Sequence, residues 1–188
     1  ALVELLLSHG ANTELRNDDG QSALDYATQR NKAECAALIR EHMRPALVRL
    51  ALANDADGVR EELQRPGCDV EAKEWTEFTA LHAAAGRGYT EVARLLLDAG
   101  ASLEATENTG ATPLISAAYY NKHETAALLI ERGANVDHQN LTGYTPLIAA
   151  ALQGHRDLVE LLLSHGANTE LRDEDGQSAL DLAIQGNK

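Results

Sequence analysis

The chain has 188 residues, is 44% hydrophobic and carries a formal net charge of −13. That length suffices for one sizeable core or one elongated stack, while the acidic balance argues against nucleic acid held through its phosphates and against an anionic membrane surface. Only 4% of residues are aromatic, so the apolar material is mostly Ala and Leu, which suits thin helices packed closely.

Residues 1–9 read as the second helix of a unit, with Leu2, Leu5 and Leu6 at helical spacing and Gly10 as a left-handed cap. Asn17-Asp18-Asp19-Gly20 reads as a tight turn. Ser22 caps a short helix that runs through Leu24 to about Gln29, and a second helix spans residues 33–42. Met43-Arg44-Pro45 leads straight into Ala46-Leu47-Val48, with Pro45 suited to the first turn of a helix. Residues 59–64 supply the partner helix, and Gly67 ends it.

From Glu74 onward a period of 33 residues takes over. Thr79-Ala80-Leu81, Thr112-Pro113-Leu114, Thr145-Pro146-Leu147 and Ser178-Ala179-Leu180 share one register, and Gly100, Gly133 and Gly166 share another. Thr112 and Thr145 are N-caps, with Pro113 and Pro146 at the first helical position. Self-similarity at such a period marks a solenoid. Helices of about eight residues cannot stand alone in water, so each must pack on its partner and on neighbouring units. The step from Ser22 to Ala46 is 24 instead of 33 and omits an inter-unit hairpin. Residues 1–44 therefore read as the end of an upstream block. Residues 45–188 read as a second block: an initiating-type unit 45–73, regular units 74–106, 107–139 and 140–172, and a half unit 173–188.

This pattern resembles the ankyrin repeat family. The resemblance rests on T-P-L at 112–114 and 145–147, T-A-L-H at 79–82, L-L-L at 95–97 and 161–163, and the G-A-N steps beginning at Gly10, Gly133 and Gly166. It covers essentially the whole chain. It implies an all-α solenoid of about six helix-turn-helix units joined by β-hairpin-like loops, with both ends truncated. Two departures stand out. The unit 45–73 lacks both the T-P-L-H motif and its hairpin, and Glu77 stands where the family has the hairpin glycine. A distorted turn is expected at Glu77, drawing Trp75 and Phe78 inward.

A longer repeat lies over the short one. Residues 158–188 repeat residues 2–32, differing only at Asn17/Asp173, Asp18/Glu174, Tyr26/Leu182, Thr28/Ile184 and Arg30/Gly186. Exposed pairs such as Gln21/Gln177 and Glu14/Glu170 are kept although the fold asks nothing obvious of them. A duplicated block of about five units is the expectation, with a continuation after Lys188 resembling A-E-C-A-A-L-I-R.

Catalytic and metal chemistry finds little support. Asn17-Asp18-Asp19-Gly20 and Asp173-Glu174-Asp175-Gly176 share the opening of a calcium loop but lack its remaining ligands. The seven histidines show no ligand spacing. His9 and His165 sit where a cation meets a helix C-terminus, and His82 fills a hydrogen-bonding slot of the motif. No nucleophile has a base at a workable spacing, so no enzyme activity and no cofactor are expected. Cys35 and Cys68 read as small core residues, which suits an intracellular setting, cytoplasmic or nuclear. No apolar run reaches the length of a membrane span, and no secretory leader is visible. Asn12, Asn135 and Asn168 fall where ankyrin-like proteins can be hydroxylated, although a turn-stabilising role suffices.

The resemblance implies that partners lie across the hairpin tips and the exposed ends of first helices. In that register fall Trp75, Phe78, Arg87, Tyr119, Tyr120, Leu141, Tyr144 and Leu152. Aromatic side chains are enriched at binding hot spots. Arg87 is placed to stack on a ring or to pair with a hairpin carboxylate. The outer tips carry Asp18 and Asp19 at one end, Glu174 and Asp175 at the other. The expected function is a non-catalytic scaffold that binds another protein with an apolar centre and a basic rim. Rival readings are a regulatory or targeting region of a larger enzyme, such as a kinase or ubiquitin ligase, and a mechanical spacer. Incomplete ends leave room for end-to-end self-association.

Overall fold

The computed structural model describes residues 11–13, 15–17, 20–30 and 32–186. The helix expected over residues 1–9 and the cap at Gly10 lie outside the described residues, as do His9, Glu14, Asp18 and Asp19. Eleven helices follow among the described residues: α1 (Ala23–Gln29), α2 (Ala33–Met43), α3 (Ala46–Leu52), α4 (Ala56–Leu63), α5 (Ala80–Arg87), α6 (Thr90–Asp98), α7 (Pro113–Tyr119), α8 (His123–Glu131), α9 (Pro146–Gln153), α10 (Arg156–Ser164) and α11 (Ala179–Gly186). No strand forms among them. Isolated antiparallel bridges join Arg16 to Ser22 and Arg172 to Ser178.

The chain divides into two compact units, Ala1–Pro45 and Ala46–Lys188. In the first, α1 and α2 pack through Ala27, Ala36 and Ile39, with Leu24 and Cys35 against them. In the second, first helices stack in the order α3, α5, α7, α9, α11, and second helices α4, α6, α8, α10 align behind them. Burial follows the 33-residue period. Leu81, Leu114 and Leu147 are inside, and so are Leu96, Leu129 and Leu162. Each fully buried leucine contributes about 1.5–3 kcal/mol. Buried Ala83, Ala84, Ala117, Ala118, Ala149 and Ala150 let the first helices approach closely.

Local signals set the helix starts. The Thr112 hydroxyl accepts from the Ile115 N–H at 3.4 Å and the Thr145 hydroxyl from the Ile148 N–H at 3.1 Å, with Pro113 and Pro146 just inside. Ser22 and Asp25 cap α1 reciprocally, and Ser178 and Asp181 repeat the arrangement at α11. The helix expected over 59–64 begins earlier, at Ala56, because Asp55 caps it by accepting from the Gly58 N–H at 2.9 Å. Cys35 and Cys68 are free and half-buried instead of fully enclosed. Burial, then the nearby Glu62 and Asp69, push the Cys68 thiol above its ordinary pKa.

Hairpins and helix-to-helix loops carry the bonds between units. At each hairpin tip a carbonyl accepts from the next hairpin: Thr76 from the Asn108 N–H at 3.0 Å, Thr109 from Leu141 at 2.9 Å, and Thr142 from Glu174 at 3.0 Å. On the opposite side a carboxylate of one unit accepts an N–H of the next. Glu71 takes Ser102 at 2.7 Å, Glu104 takes Asn135 at 2.8 Å, and Asp137 takes Asn168 at 2.8 Å. Glu170 stands in the same register, and its carboxylate accepts from the Thr169 hydroxyl at 3.2 Å.

The turn at Glu77 is not distorted. Its N–H bonds the Glu74 carbonyl at 2.9 Å, as Gly110 bonds Glu107 at 2.8 Å and Gly143 bonds Asn140 at 3.0 Å. Glu77 adopts φ 61°, in the left-handed region where Gly110 (φ 78°) and Gly143 (φ 80°) also sit. The two glycines are held there by close approach as well: a Cβ on Gly110 would lie 2.9 Å from the Leu141 nitrogen, and one on Gly143 2.8 Å from the Asp173 Cα. The hairpin hydrogen bonds impose one backbone path, and Glu77 follows it against its own preference.

Candidate partner-binding surface

The first helices end on one side of the second unit, next to the hairpin tips. Tyr119 is the last residue of α7 and Tyr120 is its C-cap. Their rings meet edge to face with centroids 5.0 Å apart, and they remain 41% and 58% exposed. The Tyr120 ring leans back over α5, where a Cβ on Gly86 would sit 3.5 Å from it. The Tyr119 carbonyl reaches the other way, to His155 Nε2 at 3.0 Å in the following unit. The pair therefore spans three successive units.

Tyr144 extends the strip. It is half-buried against the core, and Asn140 fixes its backbone. The Asn140 amide oxygen accepts from the Thr142 N–H at 3.1 Å, the Thr142 hydroxyl at 2.9 Å and the Tyr144 N–H at 2.8 Å. Burial, then the charges of Asp173, Asp175 and Glu174, and lastly Tyr119, raise the Tyr144 phenol above its ordinary pKa, which keeps it neutral. The strip of rings thus runs into an acidic hairpin. Within that hairpin Asp173 itself is committed, accepting from the Asp175 N–H at 3.1 Å and the Gln177 N–H at 2.8 Å.

The other expected residues divide. Leu141, at a hairpin tip, is 76% exposed, and Trp75 is also exposed, not drawn inward. Phe78 does turn inward: it is half-buried and packs on His82 with ring centroids 5.3 Å apart. Leu152 is half-buried against the core. Arg87, exposed at the end of α5, forms no ion pair and covers no ring among the described residues. Asn140 was missed as a positioning residue, although an Asn or Asp opens three of the hairpins, at Asn17, Asn140 and Asp173.

His82 is fully buried and structural. Nδ1 lies 2.8 Å from the Thr79 hydroxyl, and Nε2 lies 3.0 Å from the Ala111 carbonyl oxygen. Burial chiefly lowers its pKa. Asn135 and Asn168 use their side-chain oxygens to accept from the Asp137 and Glu170 N–H groups at 3.0 and 2.9 Å, the turn-stabilising role. Among the described residues no cluster of His, Cys, Asp and Glu could hold a metal ion, and no helix is long and apolar enough to cross a membrane.

Comparison with protein families gives two matches. A family model described as ankyrin repeats (3 copies) matches residues 47–140, and one described as ankyrin repeats (many copies) matches residues 129–183.

Proposed function

Because the chain belongs to the ankyrin-repeat family, whose repeats are generally protein–protein interaction modules, we propose that it binds a partner protein, without catalysis, through the strip formed by Tyr120, Tyr119 and Tyr144. Trp75 and Leu141 widen the contact at the hairpin tips, and Phe78 and Leu152 support it from beneath. Arg87 stands at one end and the acidic hairpin of Asp173, Glu174 and Asp175 at the other. The partner that fits has an apolar centre and basic residues toward the 173–175 side.

The edge-to-face pair of exposed tyrosines carries this reading. Stacking and capping here are done by Thr112, Pro113, Leu114 and Asn140, which leaves much of both rings in water. Large aromatic side chains that stay this exposed side by side are the residues expected to anchor an interface. Affinity capture from a lysate with mass spectrometry identifies the partner, and the double variant Tyr119→Ala/Tyr120→Ala tests the site. A well-buried anchor is worth roughly 2 kcal/mol, or about 30-fold in affinity. The expected result is loss of that partner with an unchanged circular dichroism spectrum and melting temperature. Undiminished capture would sink the assignment, and so would loss that merely follows unfolding.

A further inference from the structure

The last position of the first helices changes its chemistry from unit to unit. At the 33-residue period it is Arg87 on α5, Tyr120 at the cap of α7 and Gln153 on α9. A position that takes all three does not need a cation for the fold. Two residues further on, the row reads Tyr89, Lys122 and His155. Tyr89 packs against the core, and His155 bonds the Tyr119 carbonyl at 3.0 Å. The Lys122 ammonium has no hydrogen bond and no ion pair among the described residues.

Arg87 and Lys122 lie together beside the tyrosine pair. Arg87 stands between Gly86 and Gly88. The Tyr120 ring covers Gly86, and the stem of Lys122 covers Gly88, where an added Cβ would lie 2.9 Å from Lys122 Cδ. The protein has 29 Asp and Glu against 16 Lys and Arg, so its cations find carboxylates readily. Arg60, Lys73, Arg132 and Arg156 each hold one at 2.6–2.9 Å. Arg87 holds none among the described residues, like Lys122. The C-terminal field of α5 favours positive charge here, but the same end of α9 does without it at Gln153. The Ala84 and Ala85 carbonyls that close α5 are already taken by the Tyr89 and Gly88 N–H groups at 2.9 and 3.2 Å. Two adjacent cations are therefore left for a group outside the chain. A guanidinium fork next to an ammonium suits a carboxylate.

On the footing that the tyrosine strip is the binding surface, we infer that Arg87 and Lys122 form its carboxylate-binding end. The partner lies along the strip as an extended segment, with an Asp or Glu at Arg87 and Lys122 and an apolar residue on Tyr119 and Tyr120. α5 and α7 are neighbours in the stack. Packed helices lie about 8–10 Å apart, which an extended chain covers in about three residues. The acidic residue and the apolar anchor therefore stand about three residues apart in the partner.

Peptide selection tests this. A displayed library of random peptides about 12 residues long, several times that spacing, is panned against the full chain. Selected peptides should fail to bind Tyr119→Ala/Tyr120→Ala, and should carry Asp or Glu about three residues from an apolar residue. On Arg87→Glu/Lys122→Glu the selection should switch to Lys or Arg at that position. A peptide selected on the unaltered chain should bind this variant about tenfold more weakly or worse. Arg94→Glu/Arg156→Glu makes the same change of charge on second helices and should leave the selection unchanged. Arg87→Gln/Lys122→Gln should remove the acidic preference without reversing it, and Gln153 shows that the fold accepts glutamine at the Arg87 register. Tyrosine-dependent peptides without the acidic residue would overturn the inference and leave the strip standing. So would an acidic preference that survives the charge reversal, or one that Arg94→Glu/Arg156→Glu switches equally. Peptides indifferent to the tyrosines, or no selection at all, would remove the strip and its acid-binding end together.

Discussion

The imidazole of His82 joins two units, with Nε2 3.0 Å from the carbonyl oxygen of Ala111 while Nδ1 faces the Thr79 N–H at 3.3 Å. The neutral ring serves both partners, accepting at Nδ1 and donating at Nε2. A second proton would place a donor against the Thr79 N–H inside the core. Burial is the first cause of its lowered pKa.

A pH dependence of stability follows. The unfolded chain takes up the proton near the ordinary value of 6.5, and the folded chain only below it. Stability from this group is therefore complete above about 6.5 and is lost as pH falls toward the folded pKa, by at most about 1.4 kcal/mol per pH unit. Urea unfolding between pH 7 and 5 should show this slope. His82→Ala should flatten it, and should cost about 1–3 kcal/mol at pH 7 because the Ala111 carbonyl loses its donor.

Glu77 is expected to respond in the opposite sense to most core-unit substitutions. A non-glycine residue in the left-handed region costs roughly 1–2 kcal/mol, and the exposed pair with Lys73, 2.9 Å long, returns only about 0.2–1 kcal/mol. Glu77→Gly should therefore raise stability by about 1 kcal/mol. Glu77→Ala keeps the strained Cβ and loses the ion pair, so it should not. Denaturation midpoints of the two variants separate backbone strain from charge.

The carboxylates of Glu71, Glu104 and Asp137 test how units are joined. Glu104→Ala removes the acceptor of the Asn135 N–H, and a charge-assisted bond at this partly exposed site is worth about 1 kcal/mol. Amide exchange of Asn135 should quicken in this variant more than that of Ser102 or Asn168, which have their own acceptors. Equal acceleration at all three would mean that the effect is global destabilisation.

The scaffold was legible because its physics is local. Thr112, Thr145, Pro113 and Pro146 act within one turn, and the leucines at 81, 114 and 147 recur at the period itself. The site was legible as a set of positions and less so as exposures. Phe78 and Trp75 share one hairpin, yet Phe78 is half-buried on the His82 ring while Trp75 stays exposed, a difference that depends on where His82 points. The expectation at Glu77 treated a turn as following its residue, whereas bonds on both sides force the residue to follow the turn. The carboxylates at 71, 104 and 137 were in plain view at the period of 33. Their partners lie about one repeat away in sequence, at residues 102, 135 and 168, so nothing local betrays them.

The hydrogen bonds that tie the second unit together reach from each repeat to its immediate neighbour: Thr76 to Asn108, Thr109 to Leu141, Glu104 to Asn135. Nothing in such a pattern measures total length. A block that recurs whole keeps both halves of each of its internal junctions, donor and acceptor already matched. An architecture indifferent to its own size puts no penalty on a block that recurs, which suits the near-identity of residues 2–32 and 158–188.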